Sequence, residues 1–371
     1  MRSAIFVLFL LFVGLSLAQC DFIKIAAGSA HTVALKSDGT VWAWGWNHFG
    51  QLGDGTDINR TIPVQVVSPD GDGHLLDIIE IAGGSDHTIA LKSDSTVLTW
   101  GSNEYGQLGD GSTSDSYSPV QVVGPSGVGY LTGIIAIAGD MYHTIALKSD
   151  STVWTWGRNS SGQLGNGTTT NSSTPVQVVN SDGVGFLTGI IDIDGGSHTI
   201  ALKSDSTVWT WGSNIWGQLG DGTNISKTTP VQVLNHDGVG YLTSIFAIAI
   251  GDSHSIALKW DGTVWTWGSN SSGKLGDGSS VFRNTPVQVV GSDGIGYLNE
   301  IIDIAGGSHH TIALKTDSTM WSWGNNHCGQ LGDGMTTIWH SLIPPQDRFL
   351  TPKVLGFLPK LLQSQAEVGI Q

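Results

Sequence analysis

One stretch recurs along the chain. His143 to Gly167, HTIALKSDSTVWTWGRNSSGQLGNG, has counterparts that open at His31, His87, His198, His254 and His310. Successive copies are 56, 56, 55, 56 and 56 residues apart. Self-similarity at a fixed period of this length defines a repeat architecture, in which each unit buries its apolar faces on its neighbours. Length alone would allow two domains in 371 residues, but the repeat makes them one array.

Each unit holds four short apolar segments, which in the third copy are Ile134 to Ala138, Thr144 to Lys148, Thr152 to Trp156 and Val176 to Val179. The second and third read as a hairpin. The turn between them is Ser37-Asp38-Gly39 in copy one and Trp260-Asp261-Gly262 in copy five, and Asp-Gly between alternating segments is a strong hairpin signal. Trp154 and Trp156 stand two apart, so both project from one strand face, as do Trp42/Trp44, Trp209/Trp211, Trp265/Trp267 and Trp321/Trp323; copy two has Leu98/Trp100. A glycine-rich loop, WGxNxxGQLG[DN]G, follows, and then a strand led by proline, such as Pro175-Val176-Gln177-Val178. No segment carries a 3.6-residue period. The pattern predicts an all-β chain: a β-propeller of about six four-stranded blades, whose tryptophans form the core between blades.

The run from Ala27 to Gly55, with the run from Ala249 to Gly278, resembles the repeat of the regulator of chromosome condensation family. The resemblance extends over about residues 22 to 357 and implies a propeller, usually of seven blades, where this sequence shows six copies. The repeat boundaries read as 22–77, 78–133, 134–189, 190–244, 245–300 and 301–357, within a propeller spanning 19–357 and followed by a tail over 358–371. Copy six carries about ten extra residues between Thr337 and Phe349, then resumes at Thr351-Pro352-Lys353-Val354. Two closures are compatible with the repeats: six whole blades, or one blade shared by strands from both termini.

The start of the chain, Met1-Arg2-Ser3 followed by the apolar run to Leu17 and the small-residue site at Ala18, reads as a secretory signal peptide over 1–18. The mature protein is then expected outside the cell, without a membrane span. In that oxidising setting Cys20 and Cys328, at the two ends of the repeat region, are expected to pair across the first and last blades. Six Asn-x-Ser/Thr sequences, at Asn59, Asn159, Asn166, Asn171, Asn224 and Asn270, are N-glycosylation acceptors in a host that modifies exported chains.

Net charge is −15, with 16 Lys plus Arg and no basic run. Nucleic acid needs clustered cations on its phosphates, so nucleic acid is excluded as a partner. The six repeated lysines, one per copy from Lys36 to Lys315, read as solvated strand ends. Ring symmetry also argues against an enzyme, because a catalytic site needs unlike groups gathered at one place, whereas His31, His87, His143, His198, His254 and His310 occupy one repeated position. These histidines are expected to be structural, each with one ring nitrogen bonding a backbone group at its strand start and the neighbouring Thr or Ser assisting. The GDG[ST] loops lack calcium-loop spacing, and there is no phosphate-binding or nucleophile-elbow motif. No metal and no cofactor are expected.

Positions that differ between copies mark decoration on the scaffold. After the repeated loop asparagine, and before the repeated histidine, stand His48, Phe49, Glu104, Tyr105, Tyr142, Ile215 and Trp216, with Trp46 and Arg158 beside them. Loops on rigid scaffolds carry function, and aromatic residues with arginine anchor protein interfaces. The expectation is a secreted, non-enzymatic binding protein that presents this loop face to a protein partner. The alternative is a carbohydrate-binding propeller whose Trp46, Phe49, Tyr105 and Trp216 stack on sugars. The resemblance also implies guanine-nucleotide exchange on a small GTPase, which an exported acidic chain fits poorly.

Overall fold

The computed structural model describes residues 21–291 and 294–336. These form 23 strands in six antiparallel sheets arranged radially as a β-propeller, with a three-residue 3-10 turn at Ser271–Gly273. The first sheet sets the plan. β1 (Phe22–Ala27), β2 (His31–Lys36), β3 (Val41–Gly45) and β4 (Arg60–Gln65) pair in chain order. Later sheets start at Ile78, Ile134, Ile190, Ile245 and Ile301, and the sixth has three described strands, β21 (Ile301–Gly306), β22 (His310–Lys315) and β23 (Met320–Gly324). Each sheet is thus built from consecutive strands. Cys20, the extra residues of copy six, Thr351 to Val354 and the tail lie outside the described residues.

The hairpin turns form because aspartate pins them. Asp38 Oδ1 accepts from the backbone N–H and the hydroxyl of Thr40, at 3.0 and 2.7 Å. Gly39 takes the left-handed φ of 80° that this turn needs. Where serine replaces that glycine, Ser95, Ser151, Ser206 and Ser318 still adopt φ of 62–67°, held by the same aspartate-to-threonine bonds.

The fourth strand begins earlier than its proline suggests. In the third sheet it runs Ser172–Gln177, so Pro175 is its fourth residue and not its first. Trp154 pairs with Gln177 and Thr155 with Val176, and the register then slips before Gly157 meets Ser172. Pro175 sits in that slip on an outer edge strand, where its missing N–H costs no ladder bond.

First strands of successive sheets contact one another, which places them around the axis and the fourth strands at the rim. The second tryptophan of each pair fills the space between blades: Trp156, Trp211 and Trp267, like Trp100 in copy two, have no exposed surface, and Trp323 has almost none. In copies three to six the first tryptophan of the pair is less deeply placed, though Trp154, Trp209 and Trp321 pack against the edge of that core. Trp42, Trp154, Trp209, Trp265 and Trp321 are half-buried at the opposite end of the strand, and Lys36, Lys203, Lys259 and Lys315 lie over the rings in their own copies.

The junction between the sixth sheet and the first differs from the other five. No comparable contact joins β21 or β22 to β1. Phe22 and Ile25 are 48% and 67% exposed, where the equivalent Ile78 and Ile81 are 3% and 1% exposed. Trp44, unlike its five counterparts, is only half-buried. Trp156→Ala is therefore expected to cost about 3–5 kcal/mol, and Trp44→Ala distinctly less, as read from denaturant midpoints. Equal losses at the two sites would show that the first sheet is packed like the rest.

Candidate functional site on the loop face

Strand alternation puts two kinds of connection at one end of every blade: the short turn before the repeated histidine and the long loop after the third strand. Both are fixed from beneath by a joint between blades. His31 Nε2 lies 3.0 Å from Thr88 Oγ1 in the next blade, and Thr88 Oγ1 donates to the Gln51 carbonyl at 2.9 Å. The threonine hydrogen is thereby used, so the histidine Nε2–H is the donor. Trp100 Nε1 donates to the same Gln51 carbonyl at 3.0 Å. His87–Thr144, His143–Thr199, His198–Ser255 and His254–Thr311 repeat the histidine contact at 2.6–3.0 Å. His31, His87, His143, His198 and His254 thus each meet a hydroxyl across the blade interface and not a backbone group at their own strand start.

Two close approaches keep this joint compact. A Cβ on Gly28 would stand 2.2 Å from the His31 ring, and one on Gly53 would stand 2.6 Å from Trp100 Nε1. In copy three the residue equivalent to Gly28 is Asp140, whose Oδ2 lies 3.0 Å from His143 Nδ1.

The long loop hangs on its repeated asparagine. Asn47 Nδ2 donates to Asp54 Oδ1 and to the carbonyls of Thr56 and Ile58, while its Oδ1 accepts from Leu52 N–H at 2.8 Å. Gln51 Oε1 accepts from Phe49 N–H at 3.0 Å. Copies two to four repeat these bonds, so their variable residues all stand on a pinned turn. Copy five departs. Lys274 replaces the glutamine, is buried, and the loop tightens into the 3-10 turn. Burial holds the Lys274 amine below its usual range, with Asp252 opposing the shift.

The variable residues gather into three clusters. Trp46, His48 and Phe49 touch within blade one, with ring centroids 5.2–5.9 Å apart. Tyr105 and Tyr142 meet edge-on at 5.2 Å, and the Arg158 guanidinium lies over both at 5.4 and 5.3 Å, linking blades two and three. Glu104 is exposed beside them. The third cluster spans blades four and five. Trp216 meets Phe282 at 6.3 Å, and Ile215, Ile225 and Val281 stand beside them. Asn224 Nδ2 reaches the Ile215 carbonyl at 3.4 Å, and Asn284 Nδ2 donates to the Gly222 carbonyl at 3.0 Å, which stitches the two loops together. All five apolar side chains are between 44% and 66% exposed. Ile225, Val281 and Phe282 escaped the sequence comparison because they lie further along the loop than the two positions that carry most of the variation. Unlike residues at the equivalent sites in copies two and three, Ser114-Asp115 and Thr170-Asn171, were the available signal.

Among the described residues no group of three or more histidines, cysteines or acids is placed to hold a metal ion. Cys328 is exposed on the sixth loop, and its expected partner Cys20 lies outside the described residues.

A radial array of like sheets, symmetric in its buried polar groups and unlike only in its loops, defines a propeller scaffold. The model of the "Regulator of chromosome condensation (RCC1) repeat" matches residues 38–91, 94–147, 150–202, 205–258 and 261–314, and the chain belongs to this family. It is 32% identical over 311 residues to the ultraviolet-B receptor UVR8 of Arabidopsis thaliana, covering 84% of this chain and 66% of that one. It is 31% identical over 302 residues to the human E3 ubiquitin-protein ligase HERC2, covering 80% of this chain and 6% of the ligase. The chain thus spans less than two-thirds of either relative. Among solved structures, Prp20p of Saccharomyces cerevisiae superposes with a TM-score of 0.69 at 24% identity, over 88% of this chain and 76% of that one, which shows the shared fold.

The joint has a consequence in acid. Burial lowers His31 to about 4 and His87 and His198 to about 3, and it takes His254 well below 6.5. The unfolded chain takes up these protons near pH 6.5 and the folded chain does not, so stability falls as pH drops through that window. Burial acts oppositely on two carboxyls, raising Asp192 to about 6 and Asp194 to about 7, so these favour the fold at lower pH. Four imidazoles outweigh two carboxyls. The urea midpoint is expected to fall steadily from pH 7 to pH 4.5, and a flat profile would contradict neutral buried histidines.

Proposed function

We propose that this chain is an exported, non-enzymatic binding scaffold that presents its loop face to a protein partner, with the patch on blades four and five as its principal anchor. One observation carries this reading: Ile215, Trp216, Ile225, Val281 and Phe282 are exposed apolar side chains on two stitched neighbouring loops otherwise rich in Ser, Asn, Thr and Gly, with the Trp216 and Phe282 rings in contact. A stitched backbone under exposed aromatic and branched side chains is the arrangement that supplies interface hot spots at low entropic cost. The Arg158–Tyr105–Tyr142 cluster offers a second, amphipathic contact. Relatives support a binding role. One solved structure is of yeast RCC1 bound to Kap60, and another concerns the binding of Prp20p to Gsp1p and histones. Export rests on the leader-like run before Ala18, and the charge of −15 disfavours nucleic acid as the partner.

The test compares capture of proteins from host secretions by the wild-type chain and by Trp216→Ala and Phe282→Ala. Each variant is expected to weaken capture at least tenfold while leaving the unfolding midpoint nearly unchanged, because both side chains are about half exposed. Undiminished capture by both variants would remove the patch from the interface. Acceleration of nucleotide release from a small GTPase by the purified chain would overturn the non-enzymatic part.

A further inference from the structure

The six Asn-x-Ser/Thr sequences are not equivalent in the fold. Asn159 and Asn270 are the repeated loop asparagines of copies three and five, 0% and 1% exposed. Asn159 Nδ2 donates to Asn166 Oδ1 at 3.2 Å and to the carbonyls of Thr168 and Thr170 at 3.0 Å. Asn270 Nδ2 reaches Asp277 Oδ1 and the carbonyls of Ser279 and Val281 at 3.0–3.1 Å. Asn59 and Asn171 occupy the opposite situation. Both are exposed at the outer rim of the loop face. Among the described residues each spends only its oxygen on the fold, as Asn59 Oδ1 accepts from Asn47 N–H and Asn171 Oδ1 from Asn159 N–H, both at 2.8 Å. Their amide nitrogens point away from that bond.

We propose that Asn59 and Asn171 bear glycans in this chain, and that the fold forbids a glycan on Asn159 or Asn270. The modification uses a polyprenyl-diphosphate-linked oligosaccharide as donor. The C1–O bond to the diphosphate breaks, a bond from Nδ2 to C1 forms, and the polyprenyl diphosphate leaves while Nδ2 gives up one proton. At Asn59 and Asn171 the carbonyl bond that holds the loop survives this exchange. At Asn159 and Asn270 a sugar would take the place of a carbonyl 3.0–3.1 Å from Nδ2, inside a buried loop that would be left with one N–H for its several acceptors. A chain glycosylated there before folding is then unable to close that loop. The modification faces the partner side of the ring, since all four asparagines sit on the loop end of their blades.

This rests on the export reading, so the experiment separates the two. The full chain is expressed in a host that N-glycosylates its secreted proteins, alongside a version in which the host's own leader replaces residues 1–18. Failure of the first version alone to appear in the medium counts against the natural leader and leaves the glycan test to the second. Site occupancy is read by mass spectrometry after enzymatic removal of glycans, which converts each modified Asn to Asp. The secreted, folded protein is expected to carry glycans at Asn59 and Asn171 and none at Asn159 or Asn270. Ser161→Ala with Ser272→Ala abolishes both buried acceptor sequences without touching their asparagines, and is expected to raise the secreted yield severalfold. Folded protein bearing a glycan on Asn159 or Asn270, secreted protein bare at both Asn59 and Asn171, or a yield unmoved by the serine changes would each overturn the proposal.

Discussion

The shared acceptor at each blade junction is the contact on which the ring depends. A histidine N–H bonds the next blade's hydroxyl, that hydroxyl bonds the carbonyl of the repeated glutamine, and the buried tryptophan indole bonds the same carbonyl. Each bond adds only about 1 kcal/mol net, but leaving one of these buried groups without its partner costs about 1–3 kcal/mol. Apolar packing holds the blades together, and the polar triad fixes their relative register, because sliding one blade along another would orphan three groups at once. The full triad recurs at four junctions and its histidine and hydroxyl bonds at a fifth, so in an array where each unit touches only its neighbours these junctions fix the register of the described blades.

Lys274 shows how local a departure can be. Its backbone carbonyl still accepts from Thr311 at 2.9 Å, yet the loop above has lost the glutamine brace, and Trp323 Nε1, the indole that would share this acceptor, has no partner among the described residues. The change is absorbed within one blade junction while the sheets on either side keep their registers. The sixth-to-first junction is the larger departure, with Phe22, Ile25 and Trp44 left uncovered by the described residues.

The loop face gains its freedom from the hub beneath it. Because Asn47 and its counterparts satisfy the loop backbone internally, the side chains two positions on are released from any structural duty. They vary from Phe49 through Tyr105 and Ser161 to Trp216 without change in the turn that carries them. A binding surface of this kind is cheap to alter, whereas the asparagine under it is not, since its amide is spent on three acceptors.

The repeat period, the all-β class, the hairpin turns and the loop that carries variation were legible in the sequence, because alternation and the turn chemistry of aspartate act over a few residues and print themselves six times. What a residue meets across a blade interface was not. The hydroxyl partner of His31, like those of the next four repeated histidines, lies about 57 residues away, the second tryptophan is buried more deeply than the first in copies three to six, and Pro175 falls inside its strand through a register slip. Nor did the sequence place Phe282 against Trp216, since two loops from different blades meet only after both blades have packed. Local chemistry determined the unit. The spatial neighbours of that unit, and with them the joint and the candidate patch, were decided by how one sheet lies upon the next.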